Sequence, residues 1–206
     1  MPSNVALIVA GGSGSRFNSP TPKQYHSLPG SNLTILQSTV NIFKSHKSID
    51  LVSVVVGRDH NVELDVPYTY GGETRQQSVR CGLNFLRQYT PKNVLIHDAV
   101  RPFVSHDLIS QVLDKLQLYE AVDIGLPMVD TIKTYGGVVI PRESLYSSQT
   151  PQGFHFDLVA ELYERANGQY SDDISLYLSS GRKNLSVVPG DPKNKKITYR
   201  EDMDYL

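Results

Sequence analysis

The stretch that most constrains this chain is its beginning. Val5, Ala6, Leu7, Ile8 and Val9 form an apolar run without polar alternation, the pattern of a parallel strand buried on both faces. It breaks into Ala10, Gly11, Gly12, Ser13 and Gly14, where glycines admit positive φ and let backbone N–H groups approach a ligand closely. Arg16 follows, and Lys23 lies within Pro22-Lys23-Gln24-Tyr25. A strand feeding a glycine-rich loop flanked by fixed cations is built to hold phosphates. No Gly-Lys pair completes a P-loop, and Phe17 stands where the dinucleotide fingerprint needs its last glycine. A plain glycine turn fits the glycines as well, so the loop alone leaves its role open.

The rest of the chain alternates strand-like and helix-like segments, which predicts an α/β sheet with helices on both faces. Helical spacing is expected over residues 33–47, from Thr74 or Arg75 onward with Val79, Leu83 and Leu86 inward, and over 107–118, 156–166, 172–178 and 200–206. Strands are expected over 51–56, 66–70, 94–96, 121–126 and 185–188, with Pro67 marking an edge. Within residues 127–150 the pattern changes to two strands joined at Gly136-Gly137, the signal of a hairpin. Such an insertion protrudes and meets a second subunit, or it is an inert surface hairpin. No internal repeat, low-complexity tract or linker divides the 206 residues, a length suited to a single well-buried domain.

Charge narrows the partners. Lys plus Arg number 20 and Asp plus Glu 21, so nothing basic favours nucleic acid. The single cysteine, Cys81, reads as helix filler and suits a reducing compartment. The uncharged start and the short apolar run after it match neither a signal peptide nor a membrane span. The expectation is a soluble cytoplasmic domain.

Further blocks carry chemistry. Gly71-Gly72-Glu73-Thr74-Arg75 with Ser78 is a glycine turn entering a helix, whose free N–H groups can read a base edge or an anion. In His97-Asp98-Ala99-Val100-Arg101-Pro102 a strand ends in a carboxylate, where ligands of open α/β sheets gather. Asp98 there suits Mg²⁺, or it pairs with Arg101 to cap a turn. His97 reads as structural. Asp172-Asp173 reads foremost as an N-cap with a helix-dipole partner, and the lysines between 193 and 196 as a solvated turn.

Taken in order, these blocks, with Asp130-Thr131-Ile132-Lys133, Thr150-Pro151-Gln152-Gly153-Phe154 and Asn194-Lys195-Lys196-Ile197-Thr198, resemble the cytidylyltransferases. The resemblance is to the 2-C-methyl-D-erythritol 4-phosphate cytidylyltransferase family of non-mevalonate isoprenoid synthesis, and it covers residues 9–198. It implies a Rossmann-like, mostly parallel twisted sheet of the nucleotidyltransferase, glycosyltransferase-A-like kind with a β-hairpin arm. It implies that Ala10, Gly11, Gly12 and Gly14 wrap the CTP phosphates, with Arg16, Lys23 and Lys196 as catalytic cations. Gly72, Glu73 and Ser78 would line the cytosine pocket, and Asp98 and Ala99 would lie by the ribose, Asp98 also by Mg²⁺. Arg101, Thr131, Arg142 and Thr150 would hold the acceptor phosphate, Thr131 and Arg142 coming from the 127–150 arm of a homodimer partner. Val100 departs from the alanine usual in the family, while Ser13 and Ser15 occupy variable positions. The closest rival is a sister enzyme acting on D-ribitol 5-phosphate, against which Lys133 leans. A glycosyltransferase would show Asp-x-Asp where this chain has Asp98-Ala99-Val100.

Overall fold

In the computed structural model, residues 1–12, 14–58 and 63–205 are described; Ser13 of the glycine loop and Leu206 of the C-terminal turn lie outside them. β1 (Asn4–Ala10) is an interior strand of a seven-stranded sheet, parallel to β2 (Leu51–Val56) on one side and β4 (Asn93–Asp98) on the other. β3 (Tyr68–Tyr70) extends the sheet beyond β2 and forms its edge. Beyond β4 come β8 (Tyr146–His155), β5 (Ala121–Pro127) and the edge strand β9 (Leu185–Pro189). β8 runs antiparallel to both of its neighbours.

The lack of alternation in β1 has a direct cause. Ala6, Ile8 and Ala10 pack into one hydrophobic cluster, and Val5 and Leu7 into another across the sheet. α1 (Ile35–Lys44) and α3 (His106–Lys115) cover the first face through Leu36, Val40, Phe43, Ile109 and Val112. α2 (Arg75–Leu86), α4 (Phe156–Arg165) and α5 (Asp173–Ser179) cover the second through Val79, Leu83, Val159, Tyr163 and Tyr177. Each such fully buried side chain contributes roughly 1.5–3 kcal/mol of transfer free energy, so both layers hold the sheet rigid beneath its loops.

The helix starts are chemically fixed. Thr34 with Gln37 and Thr74 with Gln77 form capping boxes, and Asp172 caps α5 by accepting from the Ser175 N–H. Between β5 and β8, β6 (Ile132–Lys133) and β7 (Val139–Ile140) form a separate two-stranded antiparallel ribbon. Its turn closes with the Gly137 N–H donating to the Thr134 carbonyl, Gly137 at φ +83°, a conformation that excludes most side chains. Residues 146–149 already pair with β5 in the main sheet, so the protruding part of the 127–150 stretch is shorter than the sequence suggests.

β8 was not expected from the sequence. Its Ser, Gln and Thr content and Pro151 argue against a central strand. Its buried half is nevertheless polar by design, because Gln149, Thr150 and Gln152 are all buried and hydrogen-bonded.

Candidate active site

The register of the sheet places the ends of β1 and β4 side by side, with Val9 opposite Asp98 and Ala10 opposite Val56. The loops that follow form a cavity of about 310 Å³. Ala10, Gly12, Gly14, Arg16, Lys23, Glu73, Asp98, Ala99 and Lys196 all line it, although their sequence positions span most of the chain. A wider cleft of about 840 Å³, lined by Gly11, Gly72, Glu73, Tyr25 and Arg58, opens alongside, sharing Gly12, Gln24 and Glu73 with the first.

Asp98 is the centre of the charge arrangement. Its Oδ2 accepts from Lys196 Nζ at 2.8 Å, its Oδ1 from Arg75 Nε at 3.2 Å, and Arg101 Nε lies 3.7 Å from Oδ2. Burial alone would raise the Asp98 pKa, but Arg75, Lys196 and Arg101 outweigh it and hold the carboxyl well below its ordinary range. Asp98 is therefore a fixed anion among cations, and the Asp98–Arg101 pairing is one spoke of a larger cluster.

Lys23 faces the opposite problem. Burial lowers its pKa to about 8, and the charges of Lys196 and Arg16 push in the same direction. Cations gathered this closely, with Asp98 as their principal counter-ion in the cavity, are stabilised by an anionic ligand.

The glycine loop is shaped from within. The Gln24 amide donates to the carbonyls of Ala10 at 2.7 Å and Gly12 at 3.0 Å, tying both to the protein interior. A Cβ on Gly11 would stand 2.9 Å from Ser78 Oγ, and one on Gly71 would stand 2.5 Å from it. Ser78 is buried; it supports the two glycine turns from beneath and lines neither cavity.

The expected acceptor residues divide into two groups. Thr150 and Arg101 lie buried behind Asp98. The Thr150 hydroxyl accepts from the Asp98 N–H and donates to His97 Nδ1, whose Nε2 donates to the Arg101 carbonyl. Burial brings His97 down to about 4, so the ring is neutral and structural, as the sequence suggested. Arg101 Nη1 donates to the Asn194 carbonyl at 2.8 Å. Thr131 and Arg142 are exposed around the two-stranded ribbon, and neither lines the cavity of its own chain.

Sequence reasoning passed over Arg75 and Gln24 as site residues, although both sat inside quoted motifs. Of Asp172-Asp173, Asp172 is the N-cap it was expected to be. Asp173, the acidic residue in the first turn of α5, also accepts a bidentate pair from Arg75, at 3.0 and 2.8 Å.

Among the described residues no helix is long and apolar enough to cross a membrane. Comparison with known proteins agrees with the geometry. The profile of the family described as 2-C-methyl-D-erythritol 4-phosphate cytidylyltransferase matches residues 4–205. A bifunctional enzyme IspD/IspF of Granulibacter bethesdensis is 37% identical over 208 residues, covering 96% of this chain and 54% of that protein. The chain thus spans about half the length of the first curated relatives it matches. A 2-C-methyl-D-erythritol 4-phosphate cytidylyltransferase of Clostridium novyi is 33% identical, covering 98% of this chain and 94% of that one. The crystal structure of the enzyme of the same name from Thermus thermophilus superposes with a TM-score of 0.84 at 31% identity, covering 100% of this chain and 97% of that one. With a profile match over nearly its whole length and these similarities in sequence and fold, the chain belongs to the 2-C-methyl-D-erythritol 4-phosphate cytidylyltransferase family of nucleotidyltransferases.

Proposed function

We propose that this chain transfers the cytidylyl group of CTP to 2-C-methyl-D-erythritol 4-phosphate, releasing pyrophosphate, in non-mevalonate isoprenoid synthesis. The observation that carries the reading is the convergence of Arg16, Lys23 and Lys196 on one cavity walled by the glycine loop and Asp98. The CTP phosphates lie against Ala10, Gly11, Gly12 and Gly14, and the base lies in the adjoining cleft by Gly72 and Glu73.

The acceptor is a phosphate monoester, mostly dianionic at neutral pH because its second pKa is about 6. It needs no general base. One of its oxygens attacks the α-phosphorus in line, that P–O bond forms as the bond to the leaving pyrophosphate breaks, and the electron pair departs with pyrophosphate. The obstacle is repulsion between anions, which Arg16, Lys23 and Lys196 offset by positioned charge. Arg101 lies on the acceptor side. Thr150, its hydroxyl engaged by Asp98 and His97, shapes that side from behind.

Mg²⁺ fits the donor set. Lys196 is partly exposed and can swing from Asp98 Oδ2 towards a phosphate, leaving that oxygen with only the longer Arg101 contact at 3.7 Å, and Mg²⁺ takes one or two carboxylates with substrate phosphates. Among the described residues no cluster of three or more His, Cys, Asp or Glu would hold a metal alone, so Asp98 and the nucleotide would hold it together. The ion would neutralise charge on the transferring group.

We place Thr131 and Arg142 in a partner's acceptor site within a cytoplasmic homodimer. Exposed Val129, Tyr135, Val138 and Val139 on and beside the ribbon support such a contact. The test is pyrophosphate release with CTP and Mg²⁺, offering 2-C-methyl-D-erythritol 4-phosphate and D-ribitol 5-phosphate in parallel. Strong preference for the first is expected, and preference for the second would overturn the acceptor assignment.

A further inference from the structure

Arg75 lines the same cavity as Lys23 and Lys196, yet each of its three nitrogens donates to a carboxylate of the protein. Nε donates to Asp98 Oδ1 at 3.2 Å, Nη1 to Asp173 Oδ1 at 3.0 Å and Nη2 to Asp173 Oδ2 at 2.8 Å. Asp173 is itself immobilised. It is fully buried, accepts from the Tyr163 hydroxyl, and its own N–H donates to Gln152 Oε1 at 3.1 Å. Gln152 Oε1 also accepts from the Ile174 N–H, and its Nε2 donates to Asp123, Ser148 and Asp172.

The helix end alone disfavours Arg75, whose charge is held there by Asp173 and Asp98. Arg75 is the first residue of α2, at the positive end of the helix dipole, where a cation is unfavourable. A buried ion pair is in itself weak grounds for stability, because the desolvation cost offsets the attraction. A guanidinium in this position makes sense as a bracket. Its planar fork fixes orientation through Asp173 while its remaining edge reaches Asp98.

We propose that Arg75 is a positioning residue of this site, clamped by Asp173 so that it holds Asp98 Oδ1 and leaves Oδ2 turned to Lys196 and the cavity. It acts through Asp98 and does not grip phosphate. The inference rests on the cytidylyltransferase reading of the cavity.

The test is a double-mutant cycle with Arg75→Gln, Asp98→Asn and the pair, reading kcat/KM and, by calorimetry, CTP affinity. Asp173→Asn is run in parallel because it breaks the clamp with little change in shape, should Arg75→Gln fail to fold. Circular dichroism establishes folding in each. Arg75→Gln and Asp173→Asn are each expected to lower kcat by about tenfold or more in the wild-type background, and by about twofold or less when Asp98 is already Asn, because residues in one network couple. Additive losses in both backgrounds would overturn the proposal, as would a lowered melting temperature with unchanged kcat per folded molecule. A CTP affinity lost in Arg75→Gln as fully as in Lys23→Ala would instead make Arg75 a phosphate ligand and overturn it too. If the wild-type chain binds CTP without turning it over, the functional reading fails, and the coupling seen in CTP affinity still decides the role of Arg75. Absence of both binding and turnover in the wild type overturns both.

Discussion

Lys196 Nζ lies 2.8 Å from Asp98 Oδ2 although 98 residues separate the two in the chain. This contact gives the cavity a cation that its neighbours in sequence do not share. Lys193 lies exposed in the same segment, its backbone N–H donating to Asp191. Lys196→Ala is expected to lower kcat/KM by on the order of 10² or more, as the loss of a preorganised transition-state contact does. Lys193→Ala should stay within about twofold, the usual range of surface substitutions. Steady-state pyrophosphate release for both variants checks this, and equal losses would remove Lys196 from the phosphate site.

Lys23 makes the site sensitive to alkali. Its folded-state pKa, about 8, lies below the ordinary 10.5 because of burial, Lys196 and Arg16. The charged form is therefore present below about pH 8 and lost as pH rises through it. The same depression means that folding stability gains from Lys23 as pH rises from about 8 towards 10.5. Activity runs the other way: kcat/KM for CTP, which reports the free enzyme, is expected to fall above about pH 8. Binding of the anionic nucleotide should restore the proton. Calorimetry in buffers of different ionisation enthalpy would then show proton uptake on CTP binding near pH 8.5 to 9, within about a unit of that pKa. A flat alkaline profile and no uptake would contradict the assignment.

Gly11 leaves no room for a side chain. An added Cβ meets Ser78 Oγ at 2.9 Å, while its next neighbours, Ser78 Cβ at 3.5 Å and Gly71 Cα at 3.9 Å, are ordinary contacts. Gly11→Ala should cost about 1–3 kcal/mol in stability, as overpacking does, and raise the KM for CTP. Adding Ser78→Ala removes the one close atom and is expected to restore much of both. Thermal melts and CTP kinetics of the double variant check this, and purely additive losses would show that the loop fails for another reason.

Arg142 tests the arm. Its guanidinium donates to the Val129 carbonyl and lies 4.0 Å from Glu143, outside the cavity of its own chain. Arg142→Ala is expected to raise the KM for the acceptor about tenfold or more while CTP affinity is kept, since a charge-assisted phosphate contact is lost. Mixed with inactive Lys23→Ala, it should recover about a quarter of wild-type activity, because half the dimers then contain one site with both residues intact. No recovery after subunit exchange would place Arg142 in its own protomer's site or outside catalysis.

The sequence by itself determined the local elements and the charge-bearing loops. The unalternating run before Ala10, the helix start at Thr74, and the glycine turn at residues 136–137 each act over a few residues, so their chemistry is legible there. Motif order was likewise enough to bring Arg16, Lys23, Asp98 and Lys196 to one site, because the resemblance carried the tertiary information that spacing lacks. Only the tertiary structure decided which polar groups were internal. β8 is a central strand despite Pro151 because Gln149, Thr150 and Gln152 find buried partners on β4, α5 and the segment around residue 191. Asp172 and Asp173 are identical in sequence terms, yet one caps a helix and the other clamps Arg75. A carboxylate's role depends on which distant donor the fold brings within about 3 Å of it, and neighbours along the chain do not encode that distance.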